Sequence, residues 1–98
     1  MARPKKCRCV NCSPQALYFK PRGIPLCELE EVCLGLDELE AVRLADLKGR
    51  YHEEAAAAMK VSRATFGRIV SQARRKIAEA IIGGKALRIE TNRKPRRP

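Results

Sequence analysis

The 98-residue chain is predicted to be all-α, a small helical domain organised around a helix-turn-helix at residues 52–80, HEEAAAAMKVSRATFGRIVSQARRKIAEA. Three observations predict it. Aromatic residues make up only 4% of the chain and tryptophan is absent, so the core is drawn from Leu, Ile, Val and Ala, as in small helical bundles. At about 100° per residue, Phe66, Ile69, Val70, Ala73, Ile77 and Ala80 share one stripe of a helix, while Ala64, Arg68, Ser71 and Arg75 fall on the opposite one. Ser62 stands as an N-cap immediately before that two-faced segment. A chain of this length holds one domain with a small core.

Residues 1–23 read as an irregular basic arm, because Pro4, Pro14, Pro21 and Gly23 interrupt any apolar period. Residues 24–90 form the helix-turn-helix domain, and residues 91–98 a basic, proline-containing tail expected to be disordered. Within 24–36 the signals compete: Leu26, Leu29 and Val32 fit a short helical turn, whereas Val32, Leu34 and Leu36 alternate as a strand does. A helical turn followed by an extended lead-in is expected.

Asp37 followed by Glu40 has the spacing of a capping box and is expected to start the first long helix. Leu39, Ala41, Val42, Leu44, Ala45 and Leu47 supply its apolar face, and Gly49 its left-handed stop. The second helix is expected over His52–Met59, with Glu53 and Glu54 complementing the macrodipole in its first turn. The small side chains of Ala55–Ala58 allow a close helix crossing, and Ala56 stands where such motifs place alanine. Lys60 and Val61 make the turn. Lys60 occupies a position where glycine is common and would bear a left-handed backbone at a cost of about 1 kcal/mol. The third helix, long and amphipathic, runs to Gly83 and Gly84. Beyond it, Lys85–Glu90 alternates apolar and charged residues and fits a short strand.

Charge is divided unevenly. Residues 1–23 carry six Lys/Arg and no acid, residues 24–59 three against nine acids, and residues 60–98 twelve against two, for net charges of +6, −6 and +10. An acidic base flanked by basic segments, one coinciding with the two-faced helix, is the electrostatic footprint of a polyanion-binding protein. A helix entering the major groove needs a buried rear, thin side chains at the groove floor and long cations over bases or phosphates. Arg63, Ala64, Gly67 and Arg68 are the expected base-edge positions, with Thr65 and Ser71 in lesser roles. Arg74, Arg75 and Lys76, further along, are expected at phosphates, which fix register without reading sequence. If the helix and tails neutralise about six to eight phosphates, the log–log salt slope of binding is about −5 to −7.

Cys7, Cys9 and Cys12 form C-x-C-x2-C, with Cys27 and Cys33 downstream. Clustered thiols in a reducing compartment point to metal, and Cys7, Cys9, Cys12 and Cys27 are the candidate ligands, Cys33 being an alternative fourth. Zinc is the expected ion, ahead of an iron–sulfur cluster; the competing reading is packed, inert thiols. His52 is the only histidine and has no nucleophile paired with it, which argues against an enzyme. No signal segment or run of about 18 apolar residues is present, so a cytoplasmic chain without membrane contact is expected.

FKPRGIPL at 19–26, LDELEAVRLADL, EEAAAAMKVSRATFGRIVSQARRKIAEA and GKALRIE together resemble an uncharacterised bacterial and archaeal family of small proteins regarded as DNA-binding. The central part also looks like the promoter-reading fourth region of sigma factors. The resemblance implies a helical, wing-free DNA reader and, through the sigma likeness, RNA polymerase as a partner. The leading expectation is therefore a transcriptional regulator that reads double-stranded DNA in sequence-specific fashion through the helix starting at Ser62. Such readers commonly cover two half-sites, so a homodimer is expected. The alternatives are a protein-interaction module docking on RNA polymerase or another partner, and RNA binding, which the scarcity of stacking aromatics disfavours.

Overall fold

A computed structural model describes residues 10, 11 and 13–90. The chain runs through β1 (Tyr18–Phe19), a 3₁₀ turn (Leu26–Glu28), β2 (Glu31–Gly35), α1 (Leu36–Val42) continued by a π-helical turn (Arg43–Leu47), α2 (His52–Met59), α3 (Arg63–Gly83) and β3 (Ala86–Glu90). The fold is mixed α/β, which corrects the all-α expectation. Three strands form a sheet of order β1-β3-β2, with β1 antiparallel and β2 parallel to β3.

The sheet closes the domain on itself. Val32 lies opposite Leu87 and Leu34 opposite Ile89, so one face of the sheet carries the apolar residues and packs on the helices. The opposite face carries a polar ladder in which Tyr18 donates its hydroxyl to Glu31 at 2.7 Å and Arg88 reaches Glu31 at 3.3 Å and the Cys33 sulfur at 3.4 Å. A hydrogen-bonded carboxylate beside the Tyr18 hydroxyl raises that group's pKa, because ionisation would lose the bond and set two anions together. The end of the arm thus belongs to the sheet, since Tyr18 and Phe19 pair with Arg88 and Leu87.

At the start of α1 the box is shifted by two residues from the expected one. Gly35 is the N-cap, and its amide donates to Glu38 Oε1 at 2.9 Å, while Asp37 sits inside the first turn with its Oδ1 accepting from the Glu38 amide at 2.8 Å. Glu40 does not cap. It lies buried, and Arg43 one turn on donates to both of its oxygens at 2.7 and 2.9 Å. After Val42 the helix widens, the Lys48 amide bonding the Arg43 carbonyl five residues back at 2.9 Å. The extra residue per turn rotates the following side chains, so Leu44 stays buried but Leu47, expected in the core, is 78% exposed.

The main core joins Ala41 and Leu44 of the first helical segment to Ala55, Ala56 and Met59 of α2 and to Phe66, Ile69 and Val70 of α3. Phe66 also meets the His52 ring edge-on, with centroids 5.1 Å apart. The α2–α3 turn has the expected chemistry. Lys60 adopts φ 59°, ψ 43°; its amide bonds the Ala57 carbonyl at 3.1 Å and the Val61 amide bonds the Ala56 carbonyl at 3.0 Å, the paired closure that ends a helix on a left-handed residue. Ser62 then caps α3, its hydroxyl oxygen accepting from the Thr65 amide at 3.0 Å. Lysine carries a Cβ in a backbone region where glycine carries none. Lys60→Gly is therefore expected to raise stability to urea, by no more than about 1 kcal/mol because glycine also loosens the unfolded chain. A loss of stability in equilibrium unfolding would contradict the strain reading.

Candidate nucleic-acid interface

α3 is 21 residues long and has two unlike sides. Phe66, Ile69, Val70, Ala73 and Ala80 are buried against the other elements and Ile77 half-buried, which places the predicted inner stripe where the 3.6-residue period puts it. Arg63, Ala64, Arg68, Ser71 and Arg75 are exposed, and Thr65 and Gly67 half-exposed. A side chain at Gly67 would meet nothing within 4 Å of its Cβ, so this glycine is not imposed by packing and leaves the outer face low.

The cations of α3 divide into two groups. Arg74 donates to Asp46 at 2.7 and 3.1 Å, and Lys76 donates to both oxygens of the buried Glu38 at 2.8 and 2.9 Å. These contacts tie α3 to the π turn and to the start of α1. The Arg74 guanidinium bound to Asp46 holds that carboxyl below the usual aspartate range. Arg63 and Arg68, by contrast, have no ion-pair partner among the described residues. The five cations of the predicted site are therefore not equivalent: Arg63, Arg68 and Arg75 are exposed and absent from the ion pairs among the described residues, whereas Arg74 is paired at the surface with Asp46 and Lys76 with the buried Glu38.

Two hollows flank the exposed stripe. One of about 190 Å³ lies beside Arg68, Thr65 and Gln72 and is bounded by the carboxylates of Asp37 and Glu38. The other, about 490 Å³, is lined by Arg50, Tyr51, His52, Glu53 and Arg63. It brings Arg50, in the short link between Gly49 and α2, to the same rim as Arg63, because the starts of α2 and α3 come together there. Gln72 and Arg50 are additions to the predicted set. Gln72 follows Arg68 by one turn and was legible in the helical spacing, whereas the approach of Arg50 depends on how α2 is docked.

Of the proposed metal ligands, Cys7, Cys9 and Cys12 lie outside the described residues. Cys27 is exposed on the 3₁₀ turn, and Cys33 is half-buried in β2 beside Arg88. Among the described residues no three Cys, His, Asp or Glu side chains converge as a metal centre would require. The C-terminal tail from Thr91 likewise lies outside them. No helix among the described residues is long and apolar enough to cross a membrane.

No solved structure matches the chain. Curated relatives do: a UPF0251 protein of Caldanaerobacter subterraneus subsp. tengcongensis is 58% identical over 90 residues, covering 92% of this chain and 76% of the relative. A UPF0251 protein of Desulfosudis oleivorans is 57% identical over 90 residues, 92% of this chain and 65% of its own length, and one of Prosthecochloris aestuarii is 57% identical over 88 residues, 90% of this chain and 57% of its own. The chain thus spans about two thirds or less of the length of some of the relatives it matches. The family described as "Protein of unknown function DUF134" matches residues 1–95, and with that span and those identities the chain belongs to this family.

Proposed function

We propose that this protein binds double-stranded DNA sequence-specifically and regulates transcription, presenting α3 to the major groove as the second helix of a helix-turn-helix. The observation that carries the reading is the outer face of α3, where Arg63 and Arg68 stand exposed without an ion-pair partner among the described residues, beside the low surface of Ala64 and Gly67. Leaving two guanidiniums unpaired on one helix face, in a fold that pairs Arg74 and Lys76 within itself, conserves charge for an external anion.

In this reading Arg68, with Ala64 and Gly67 beside it, meets base edges. Arg63 and Arg50, at the joined starts of α3 and α2, hold a phosphate where backbone amides and helix dipoles add to the side-chain charge, and Arg75 holds a second one. Arg74 and Lys76 act as structural ties, so fewer phosphates are contacted by α3 than the sequence alone suggests. Selection of random-sequence duplexes on the full chain, followed by titration with the enriched duplex, a scrambled duplex and a matched RNA hairpin, tests the proposal. Enrichment of a defined motif, bound at least a hundredfold more tightly than the scrambled duplex, is the expected result. Equal affinity for all three ligands, or none at low salt, overturns it.

A further inference from the structure

The surface of α3 changes character along its length. Its first half presents outward arginines; its last turn presents Ile82 on that outward side and Ile81 about 100° round the helix, beside the continuation of the buried stripe, the two 85% and 73% exposed. Isoleucine is a mediocre helix former, so neither local propensity nor the fold's own packing accounts for two of them side by side in solvent. They do not stand alone. Ile81 forms one wall of an apolar hollow of about 480 Å³ whose other walls include Phe19 and Leu87, paired across β1 and β3. Ile82 borders a second hollow on the far side of Lys85.

We infer that this surface, the C-terminal end of α3 with Phe19 and Leu87, is the twofold interface at which two copies of the chain associate. Charge selects the occupant. The protein carries a net +10, so contact between copies through the arginine face is repelled. The rim of the apolar patch carries both signs instead: Lys85 lies at 2.8 Å from Glu79 and 3.3 Å from Glu30, and Lys20 and Arg75 line the two hollows beside them. A rim of both signs is self-complementary under a twofold rotation, which sets each copy's cations against the other copy's carboxylates.

Placement supports the same occupant, and this step rests on the DNA-reading proposal. Arg68 and Ile81 are thirteen residues apart on one helix, about 20 Å at the α-helical rise. Two helices meeting at their Ile81 ends therefore hold their Arg68 side chains at most about 40 Å apart, enough for half-sites one DNA turn, about 34–36 Å, apart when the helices are inclined to each other.

Sedimentation equilibrium of the full chain without DNA tests the interface independently of any DNA activity. The wild-type protein is expected to weigh twice one chain at tens of micromolar. Ile82→Lys and Ile81→Lys, both at solvent-facing helical positions, are expected to raise the dimer Kd at least tenfold with unchanged circular dichroism and melting. Tyr51→Ala, at a comparably exposed ring on the residue that caps α2, is expected to leave it unchanged. A monomeric wild-type protein at every concentration, as would follow if another partner or the chain's own termini covered the patch, overturns the inference. Isoleucine variants that dimerise as well as the parent also overturn it.

Discussion

Arg68→Ala is expected to weaken binding to the selected duplex about 5- to 150-fold, the equivalent of about 1–3 kcal/mol for a lost bidentate guanine contact, while binding to random duplex falls by much less. The physical reason lies in what the guanidinium replaces. On the correct base it exchanges water for two directed hydrogen bonds, whereas on random sequence it contributes only its charge, which salt screens. Arg75→Ala, one charge removed from a phosphate position, is expected to weaken both duplexes alike and to make the salt slope shallower by about 1. Gel-shift titrations of the two variants on specific and random duplexes at several salt concentrations measure this. Proportionate losses for both variants on both duplexes would refute the division of labour between them.

The residues behind that prediction were legible because their signals are local. Ser62 and Phe66 fall within about one turn, and a cap and a core side chain at that spacing have few alternatives, whereas the bond between the Ser62 and Thr65 hydroxyls was not read from the sequence, which offered Thr65 as a lesser base contact. The left-handed Lys60 was legible for the same reason, since Met59 and Val61 must both turn inward and the residue between them has to reverse the chain. The inner stripe of α3 was legible through its period alone.

The sheet was not legible as a sheet. Ala86–Glu90 and the stretch around Val32 and Leu34 each read as extended, but the parallel pairing of Val32 with Leu87 spans 55 positions and has no local signature. Tyr18–Phe19 is two residues long, too short for any alternation to appear. The displaced box at α1 has another cause. Gly35 has no side chain with which to announce a cap, and Asp37 and Glu40 reproduce the spacing of Gly35 and Glu38 two residues later. The ion pairs of Arg74 and Lys76 were hidden for the same reason as the sheet. Their acids, Asp46 and Glu38, are 28 and 38 positions away, and only the docking of α1 on α3 brings them near.

Phe66→Ala is expected to cost about 3–5 kcal/mol of folding stability, the range for deleting a fully buried ring. Phe66 is wholly buried among Ala55, Ala56, Met59, Ile69 and Val70, and the small alanines that let α2 approach α3 cannot extend to refill the space. For a domain of this size, with a total of about 5–15 kcal/mol, such a loss approaches the limit of folding. Urea unfolding followed by circular dichroism reads the effect as a lower midpoint at an unchanged slope. Arg68, two positions further on the same helix, is expected to change stability by less than about 0.5 kcal/mol when cut to alanine, because nothing within the described fold leans on it. The two substitutions thus separate the faces of α3: one should remove the fold and spare no function, the other remove recognition and spare the fold. An Arg68→Ala protein that unfolds as readily as Phe66→Ala would mean that the outward arginine is part of the scaffold, and the assignment of that face to DNA would fail with it.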